Sequence, residues 1–310
     1  MTSLPSLPSQ LVFKERAANL IARLALRSPV LERFLQAGTR SAALCRRLRL
    51  GAIAMGYQRV LKAPVYRVAQ MDGYCFYVNV GEPLGLEPYF FKRSGTAWIT
   101  RSLVRPGDVC VDAGANAGHY TFLLASIVGP GGKVYAFEPN PEFARLLARS
   151  TALNGFQDRI EIIQEALSSS SAEGVDFHIS DQLSNSGTSS LLDHGHFMGG
   201  SHSIPVRTTT LDALMEREGL ERLRFLKIDV ERAEDAVLRG ASKLLAGDRI
   251  DYLIVEMHRG GEAEALLIGA GYVGHLLVHP QEQLRPIDAV EQGQFGDYLF
   301  CRPGVSPAQG

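Results

Sequence analysis

The sequence has few cysteines, and they lie far apart. There is no Cys-x-x-Cys pair among the four, which are Cys45, Cys75, Cys110 and Cys301. This argues against a disulfide framework and against a structural zinc site. The sequence also lacks an apolar run of about 18 residues, which a transmembrane helix needs, and it lacks the basic and apolar start of a secretory signal. These absences predict a protein of the reducing cytoplasm.

Acidic residues are scarce in the first 70 positions. That segment holds twelve Lys/Arg and two Asp/Glu, a net charge of +10, whereas the remaining 240 residues carry a net charge of −11. The apolar fraction of 45% is that of an ordinary globular protein, and 310 residues suit one large domain with an extension. We predict a basic helical extension at residues 1–70, a lead-in of short strands and a helix at 71–103, and a main domain at 104–310.

The basic extension has the pattern of amphipathic helices, with a break near Ser28. Apolar residues recur between its arginines: Leu11, Ile21, Leu24, Leu31 and Leu35. Basic helices that are poor in acids often lie on anionic membrane surfaces. Two interpretations stay open: the helices pack on the main domain with solvated arginines, or they contact a membrane peripherally. Nucleic acid is the less favoured partner.

Residues 109–118, VCVDAGANAG, are typical of a buried strand, a glycine-rich turn and the start of a helix. Gly114 and Gly118 allow a tight turn and a close approach by a ligand. A second apolar strand ends at Glu138, which lies 24 residues after Gly114. In dinucleotide folds an acid at this place binds the ribose hydroxyls. The order predicts an adenosine-bearing cofactor at the carboxyl edge of a parallel sheet.

The turn lacks the Gly-x-Gly-x-x-Gly pattern of nicotinamide-binding proteins, because Asn116 stands at its middle position. Asp112 would repel a pyrophosphate but suits the positive end of S-adenosylmethionine, which we therefore predict as the cofactor. The residues predicted to bind it are Asp112, Gly114, Asn116, Gly118, Glu138, Asn140 and Glu165.

From residue 104 onward, strand and helix patterns alternate, which predicts an α/β fold with a doubly wound, mostly parallel sheet and an antiparallel last strand. Later strands are predicted at residues 160–167, 224–230 and 252–258, with a closing pair at 272–278 and 296–302. Residues 182–203, which are rich in Ser, Gly and His, are predicted to form a long loop. Loops of this length are usually functional or mobile.

Six motifs occur in a fixed order: DAGANAG, FEPNP, SNSGTSSL, TTTLDAL, LKIDVERAEDAVLRGA and VEMH. Together they resemble the FkbM-type methyltransferases over residues 104–279. The resemblance implies a class I Rossmann-like methyltransferase fold, S-adenosylmethionine as the donor, and methyl transfer to a hydroxyl. The acceptor it implies is a sugar, a glycolipid, or a glycosylated or polyketide small molecule. Arg232 departs from the family, which usually has glycine there; a charge at this place would alter a tight turn or select an acidic acceptor.

The candidate catalytic residues stand where two strands end. Ligands of such sheets bind beyond the carboxyl ends of the strands, and these ends carry Asp229, Glu256 and His258. His258 is the preferred general base, because an imidazole is substantially neutral at pH 7. Asp229 is the alternative base, and Asp229 or Glu256 would stabilise the imidazolium. Lys227 is interpreted as structural, or as facing the cofactor carboxylate.

Asp229 and Glu256 also raise a second hypothesis, a Mg²⁺-dependent methyltransferase of the catechol type. No further Asp or Asn stands directly after Glu256 to complete an oxygen set, so no metal site is predicted. Loop histidines are interpreted as solvated rather than as ligands: His194, His196 and His202. Loop residues predicted to contact the acceptor or the donor are Ser184, Asn185, Ser189 and Ser190.

Two other functions compete with these. A nucleic-acid acceptor is disfavoured, because no Asn/Asp-Pro-Pro-aromatic signature occurs and the acidic main domain would repel phosphates. A catalytically silent module that binds an adenosyl ligand stays open as an alternative to an enzyme.

Overall fold

The computed structural model describes residues 9–39, 50–92, 95–180, 189–192, 201–279 and 281–307. The chain divides into two compact units. The first contains the described residues up to Asp72 and from Tyr77 to Lys92, and the second contains Gly73–Phe76 and the described residues from Gly95 onward. Within these ranges, no helix is both long and apolar enough to cross a membrane.

The first unit is mainly helical. Its helices are α1 (Ser9–Arg27), α2 (Pro29–Thr39), α3 (Leu50–Val60) and the short α4 (Pro83–Leu86), which continues into a π-helix at Glu87–Phe91. A two-stranded sheet consists of β1 (Tyr66–Gln70) and β2 (Cys75–Asn79). Within the described residues of the basic extension the structure has helices where the sequence pattern predicts them, and α1 and α2 are separated at Ser28.

Small residues bring α1 and α3 together. Ala18, Ala22 and Ala25 form the buried face of α1, and a Cβ built on Gly56 of α3 would lie 3.0 Å from the Ala18 carbonyl oxygen. The one acid of α2, Glu32, is buried and accepts a hydrogen bond from Arg67 Nε at 3.3 Å. The interior of this unit is therefore built from one face of each helix.

The second unit is built on an eight-stranded sheet in the order β12-β11-β13-β10-β9-β3-β4-β5. Its strands are β3 (Val109–Ala113), β4 (Lys133–Phe137), β5 (Ile160–Ile163), β9 (Leu223–Ile228), β10 (Ile250–His258), β11 (Val273–Val278), β12 (Gln283–Pro286) and β13 (Phe295–Cys301). Strands β10, β9, β3, β4 and β5 pair in parallel, whereas β13 runs antiparallel to β10 and β11. The predicted mostly parallel sheet with an antiparallel last strand is confirmed. The edge strand β12, which has the polar sequence QLRP, was not predicted.

Seven helices of the described chain accompany this sheet. They are α5 (Ala97–Leu103), α6 (His119–Val128), α7 (Pro141–Asn154), α8 (Leu211–Arg217), α9 (Glu234–Arg239), α10 (Ser242–Ala246) and α11 (Glu262–Gly269). Neighbouring positions of the central strands, such as Val111, Leu226 and Leu253, are fully buried. Strands covered on both faces read as continuous apolar runs, which is why the sequence pattern located them.

One predicted strand was wrong. Residues 160–167 do not form a single strand, because β5 ends at Ile163 and a separate strand, β6 (Ala166–Leu167), joins a small second sheet. That sheet has the order β6-β8-β7, with β7 at Ala172–Ser180 and β8 at Ser201–Thr209. Strand β8 begins inside the long loop predicted at residues 182–203. The polar pair Gln164-Glu165 lies between β5 and β6, and Glu165 forms an ion pair with Arg207 of β8.

Candidate active site

The turn between β3 and α6 can be built only with glycine at two positions. Gly114 has a φ of +81°, and a Cβ on it would lie 1.9 Å from the carbonyl oxygen of Asp229. Gly118 has a φ of +96°, and a Cβ there would lie 2.3 Å from the Phe122 ring. L-residues rarely adopt such φ values, and neither site has room for a side chain. The backbone of the turn therefore packs directly on the end of β9.

Glu138 fixes the other side of this turn. Its carboxylate is 5% exposed and accepts the backbone N–H groups of Asn116 at 2.7 Å and Asn140 at 2.8 Å. Burial raises the pKa of Glu138 to about 7, although these two hydrogen bonds act in the opposite direction. Each carboxylate oxygen has two lone pairs, so Glu138 keeps acceptor capacity for the hydroxyls of a ligand.

Other predicted cofactor residues have structural partners. Asp112 is buried and accepts a hydrogen bond from Thr121 Oγ1 of α6 at 2.6 Å, and burial raises its pKa to about 6. Asn140 is the N-cap of α7, where it accepts the Glu142 N–H at 2.9 Å. Glu165 lies 3.0 Å from Arg207. The structure thus joins Asn116, Glu138 and Asn140 in one network, which leaves Asp112 and Glu165 outside it.

The turn fits an adenosyl group. Its two glycines let the backbone pack tightly against Asp229 and Phe122, and a carboxylate, Glu138, stands at the end of the next strand, the place where an acid binds ribose hydroxyls in dinucleotide folds. Gly114, Gly118 and Glu138 would hold the nucleoside part of such a cofactor.

Three carboxylates converge next to the turn. Asp229 follows β9, Glu231 is two residues further on, and Glu256 lies near the end of β10; one oxygen of each lies within 4.8 Å of the others. Burial and then the charge of Asp229 raise the pKa of Glu231 to about 7. The same two causes raise the pKa of Glu256 well above its ordinary value. We call Asp229, Glu231 and Glu256 the carboxylate cluster.

A buried lysine stands beside the cluster. The ammonium group of Lys227 is 3.1 Å from Asp297 Oδ1 and 3.5 Å from Asp229 Oδ2, and it lies 5.2 Å from the ring centroid of Tyr120. Burial by itself would lower the pKa of Lys227, but the charges of Asp229 and Asp297 outweigh it and raise that pKa well above its ordinary value. Lys227 therefore stays a cation. The ammonium group of Lys227 pairs with Asp229 and Asp297, which fits the interpretation of this lysine as structural.

Glu231 and Arg232 form a strained turn after β9. Their φ values are +55° and +74°, in a region that non-glycine residues seldom occupy. Ser190, which is 1% exposed, donates its hydroxyl to the Glu231 carbonyl oxygen at 2.7 Å and accepts the Leu192 N–H at 3.2 Å. The turn is built here with arginine at position 232, where the resemblance described above implies glycine. Ser190 was predicted to contact the acceptor or the donor, and in the structure it is bound to this turn.

His258 lies at the exposed end of β10. Its Nδ1 is 3.2 Å from the carbonyl oxygen of Gly293, and its ring packs on Phe295 with centroids 4.9 Å apart. If Nδ1 donates this hydrogen bond, Nε2 is the unprotonated nitrogen, as a general base requires. Side chains of a strand alternate between its faces, so His258 is on the same face as Glu256.

The remaining loop predictions fall mostly on residues that the structure does not describe. Ser184, Asn185, His194 and His196 lie outside the described residues. His202 is exposed on β8. Within the described part of the chain, the carboxylate cluster is the one group of acidic, histidine or cysteine side chains that is close enough to hold a metal ion.

The parallel sheet, the glycine turn after β3 and the acid after β4 define the class: this is a class I methyltransferase fold, and the cofactor of that class is S-adenosylmethionine. A family model, the methyltransferase FkbM domain, matches residues 112–279, more than half of the chain. The chain belongs to the FkbM methyltransferase family.

Two relatives illustrate the range of the family. The hexuronic acid methyltransferase AglP of Haloferax volcanii is 32% identical over 154 residues, which cover 49% of this chain and 57% of AglP. The 31-O-demethyl-FK506 methyltransferase FkbM of Streptomyces tacrolimicus is 29% identical over 209 residues, which cover 54% of this chain and 74% of the relative. The match therefore spans little more than half the length of AglP. A solved structure of methyltransferase FkbM from Methylobacillus flagellatus is 13% identical, with a TM-score of 0.39, and the match covers 69% of this chain and 52% of that one.

The buried carboxyls predict how stability depends on pH. The ordinary pKa of a glutamate is about 4.5, whereas Glu231 titrates near 7 in the folded protein. Between these values the folded state holds a proton that the unfolded chain has released, so the contribution of Glu231 to the free energy of unfolding falls as pH rises. We expect Glu231→Gln to gain in thermal stability relative to wild type between pH 5 and about pH 8.

The measurement is the difference in Tm between variant and wild type at each pH, without ligand. Glu173→Gln serves as the control, since Glu173 is exposed on β7, and its difference in Tm should stay flat. A flat difference for Glu231→Gln as well would show that Glu231 ionises normally.

Proposed function

We propose that this protein is an S-adenosylmethionine-dependent O-methyltransferase that acts on a hydroxyl of a sugar, a glycolipid, or a glycosylated or polyketide small molecule. The observation that carries the proposal is the position of the carboxylate cluster. The backbone of Asp229 touches Gly114 of the cofactor turn, and the carboxylates of Glu231 and Glu256 are close to that of Asp229. Carboxylates accept hydrogen bonds from hydroxyls, so a hydroxylated acceptor is matched to this edge of the sheet.

The proposed mechanism assigns one task to each group. When bound, the cofactor supplies an electrophilic methyl group on a positively charged sulfur. Asp229, held by Lys227 at 3.5 Å, orients the acceptor hydroxyl by accepting its hydrogen bond. His258 takes the hydroxyl proton, and the negative charge of the cluster stabilises the imidazolium that forms. Asp229 itself is the alternative base.

The names of two relatives support a sugar-type acceptor and transfer to oxygen. AglP is named a hexuronic acid methyltransferase, and NoeI of Sinorhizobium fredii, 28% identical over 164 residues, is named a 2-O-methyltransferase. Arg232 is exposed and directly follows Glu231 of the cluster. A guanidinium binds a carboxylate through two parallel hydrogen bonds, so we propose that Arg232 favours an acceptor that carries a sugar acid.

The experiment is a transfer assay with methyl-labelled S-adenosylmethionine and a matched pair of acceptors, a neutral glycoside and the corresponding uronic acid glycoside. We expect label on a hydroxyl of both, with a higher kcat/KM for the acidic acceptor. Arg232→Gly, which restores the usual residue of the family and suits the φ of +74°, should remove this preference and retain activity on the neutral glycoside.

Calorimetric titration with S-adenosylmethionine, beside Glu138→Ala, separates the possible failures. Donor binding that Glu138→Ala weakens, together with no transfer to any acceptor, would favour the catalytically silent module. Transfer without a preference between acceptors would refute only the role of Arg232.

A second candidate is a Mg²⁺-dependent O-methyltransferase, which the cluster also favours. Three carboxylate oxygens within 4.8 Å suit a hard cation, and such an ion would acidify the acceptor hydroxyl. Glu231, which the sequence pattern did not mark as a ligand, supplies the third oxygen. Under this hypothesis exhaustive chelation abolishes transfer, added Mg²⁺ restores it, and Glu231→Gln raises the Mg²⁺ concentration required. Full activity after chelation would exclude the metal.

A further inference from the structure

The helices α1 and α2 expose large apolar side chains next to arginines. The apolar residues and their exposed fractions are Leu20 (58%), Leu24 (51%), Val30 (79%) and Phe34 (63%). Three arginines between them are also exposed: Arg23, Arg27 and Arg33. We call these seven residues the basic apolar face.

Helical spacing places these residues on one side of each helix. Positions three and four apart are neighbours on a helix surface, so residues 20, 23, 24 and 27 share a side of α1, and residues 30, 33 and 34 share a side of α2. The buried residues of α1, such as Ala18 and Ala22, are on the other side. The interior of the first unit is therefore completed without the basic apolar face.

The face is unusual in two respects. Single exposed apolar residues are normal on a protein surface, but four of the eleven large hydrophobic side chains that are exposed in the described chain fall within residues 20–34. No acid shares the face, since Glu32, the one acid among these positions, is buried and bound to Arg67. A binding partner of the basic apolar face must therefore accommodate both apolar and cationic side chains.

We propose that the basic apolar face binds an anionic membrane surface peripherally. Leucine, valine and phenylalanine side chains gain by entering the boundary between headgroups and acyl chains, while arginines pair with anionic headgroups. A nucleic acid would use the arginines but would gain nothing from four exposed apolar side chains. The proposal is independent of the acceptor that the enzyme methylates, and it predicts an enzyme concentrated at lipid surfaces.

The experiment is co-sedimentation of the full-length protein with vesicles of phosphatidylcholine, either pure or with about 30% phosphatidylglycerol. Each arginine near an anionic surface strengthens binding about fivefold, so the triple variant Arg23→Gln, Arg27→Gln and Arg33→Gln should lose about 100-fold in partition to anionic vesicles. The double variant Leu24→Ser and Phe34→Ser should lose at least about tenfold. High salt should weaken binding of the wild type.

The control variant carries Leu153→Ser, Ile268→Ser and Arg285→Gln, three exposed residues of the second unit. It should bind vesicles like the wild type. Circular dichroism and affinity for S-adenosylmethionine confirm that each variant is folded. Absence of vesicle binding, equal binding to neutral and anionic vesicles, or equal losses in the face and control variants would each overturn the proposal. Binding of the face to duplex DNA in preference to vesicles would also overturn it.

Discussion

Replacement of Gly114 by alanine should abolish binding of S-adenosylmethionine. The added Cβ would lie 1.9 Å from the Asp229 carbonyl oxygen and 2.9 Å from its carbonyl carbon. Both are backbone atoms of the residue that directly follows β9, so no side chain can rotate away, and the turn must move away from the end of β9. Overpacking and a left-handed alanine together should cost about 2–5 kcal/mol of stability. Calorimetric titration and thermal unfolding measure the two effects.

Gly155→Ala is the matched control for this variant. Gly155 also has a positive φ, +67°, as the C-cap of α7, but a Cβ there meets nothing within 4 Å. It should cost about 1 kcal/mol from the backbone conformation and leave donor binding intact. If Gly114→Ala bound the donor with wild-type affinity, the turn would not be the donor site.

Asp229→Asn and His258→Ala should each lower kcat by a factor of about 10²–10⁴ without loss of donor binding. The first removes the charge that orients the acceptor hydroxyl and that faces Lys227 at 3.5 Å. The second removes the nitrogen proposed to take the proton. Single-turnover transfer of a labelled methyl group, measured beside calorimetric titration of the donor, reports both properties.

The two variants together identify the base. A large loss in Asp229→Asn with unchanged turnover in His258→Ala would make Asp229 the base and remove His258 from the mechanism. Unchanged turnover in Asp229→Asn would remove the carboxylate cluster from the mechanism. Asp176→Asn, an exposed aspartate of β7, controls for the loss of a negative charge elsewhere in the unit.

The parts of the fold that sequence could predict have local causes. An apolar run predicts a central strand covered on both faces, and the spacing of the glycines predicts the turn after β3. The carboxyl edge of the sheet at which a cofactor is expected could therefore be predicted from sequence. The edge strand β12 carries no such pattern because its residues are mainly polar and exposed. Residues 160–167 divide into two strands because Ala166 and Leu167 pair with β8, which lies about 40 positions further along the sequence.

The site shows the same limit. The sequence could predict three site residues because they stand at the ends of apolar strands: Asp229, Glu256 and His258. Asp297 could not be predicted in this way. Asp297 enters the site because the antiparallel register of β13 places it opposite Glu256, and Lys227 reaches it from β9. Glu231 was overlooked as a ligand because its approach to the cluster depends on a left-handed turn that is bound to Ser190.

The cation Lys227 stands among four carboxyl groups, those of Asp229, Glu231, Glu256 and Asp297, and the charge of Arg232 also acts on Glu231. Burial and the charge of Asp229 raise the pKa of Glu231 to about 7, so this carboxyl is partly protonated at neutral pH. A donor with a positively charged sulfur, if held beside Asp229, would favour loss of a proton from the carboxylate cluster, whereas a product with a neutral sulfur would not. The ratio of donor affinity to product affinity should therefore increase as pH rises through about 7. Product inhibition should consequently be weaker under alkaline conditions.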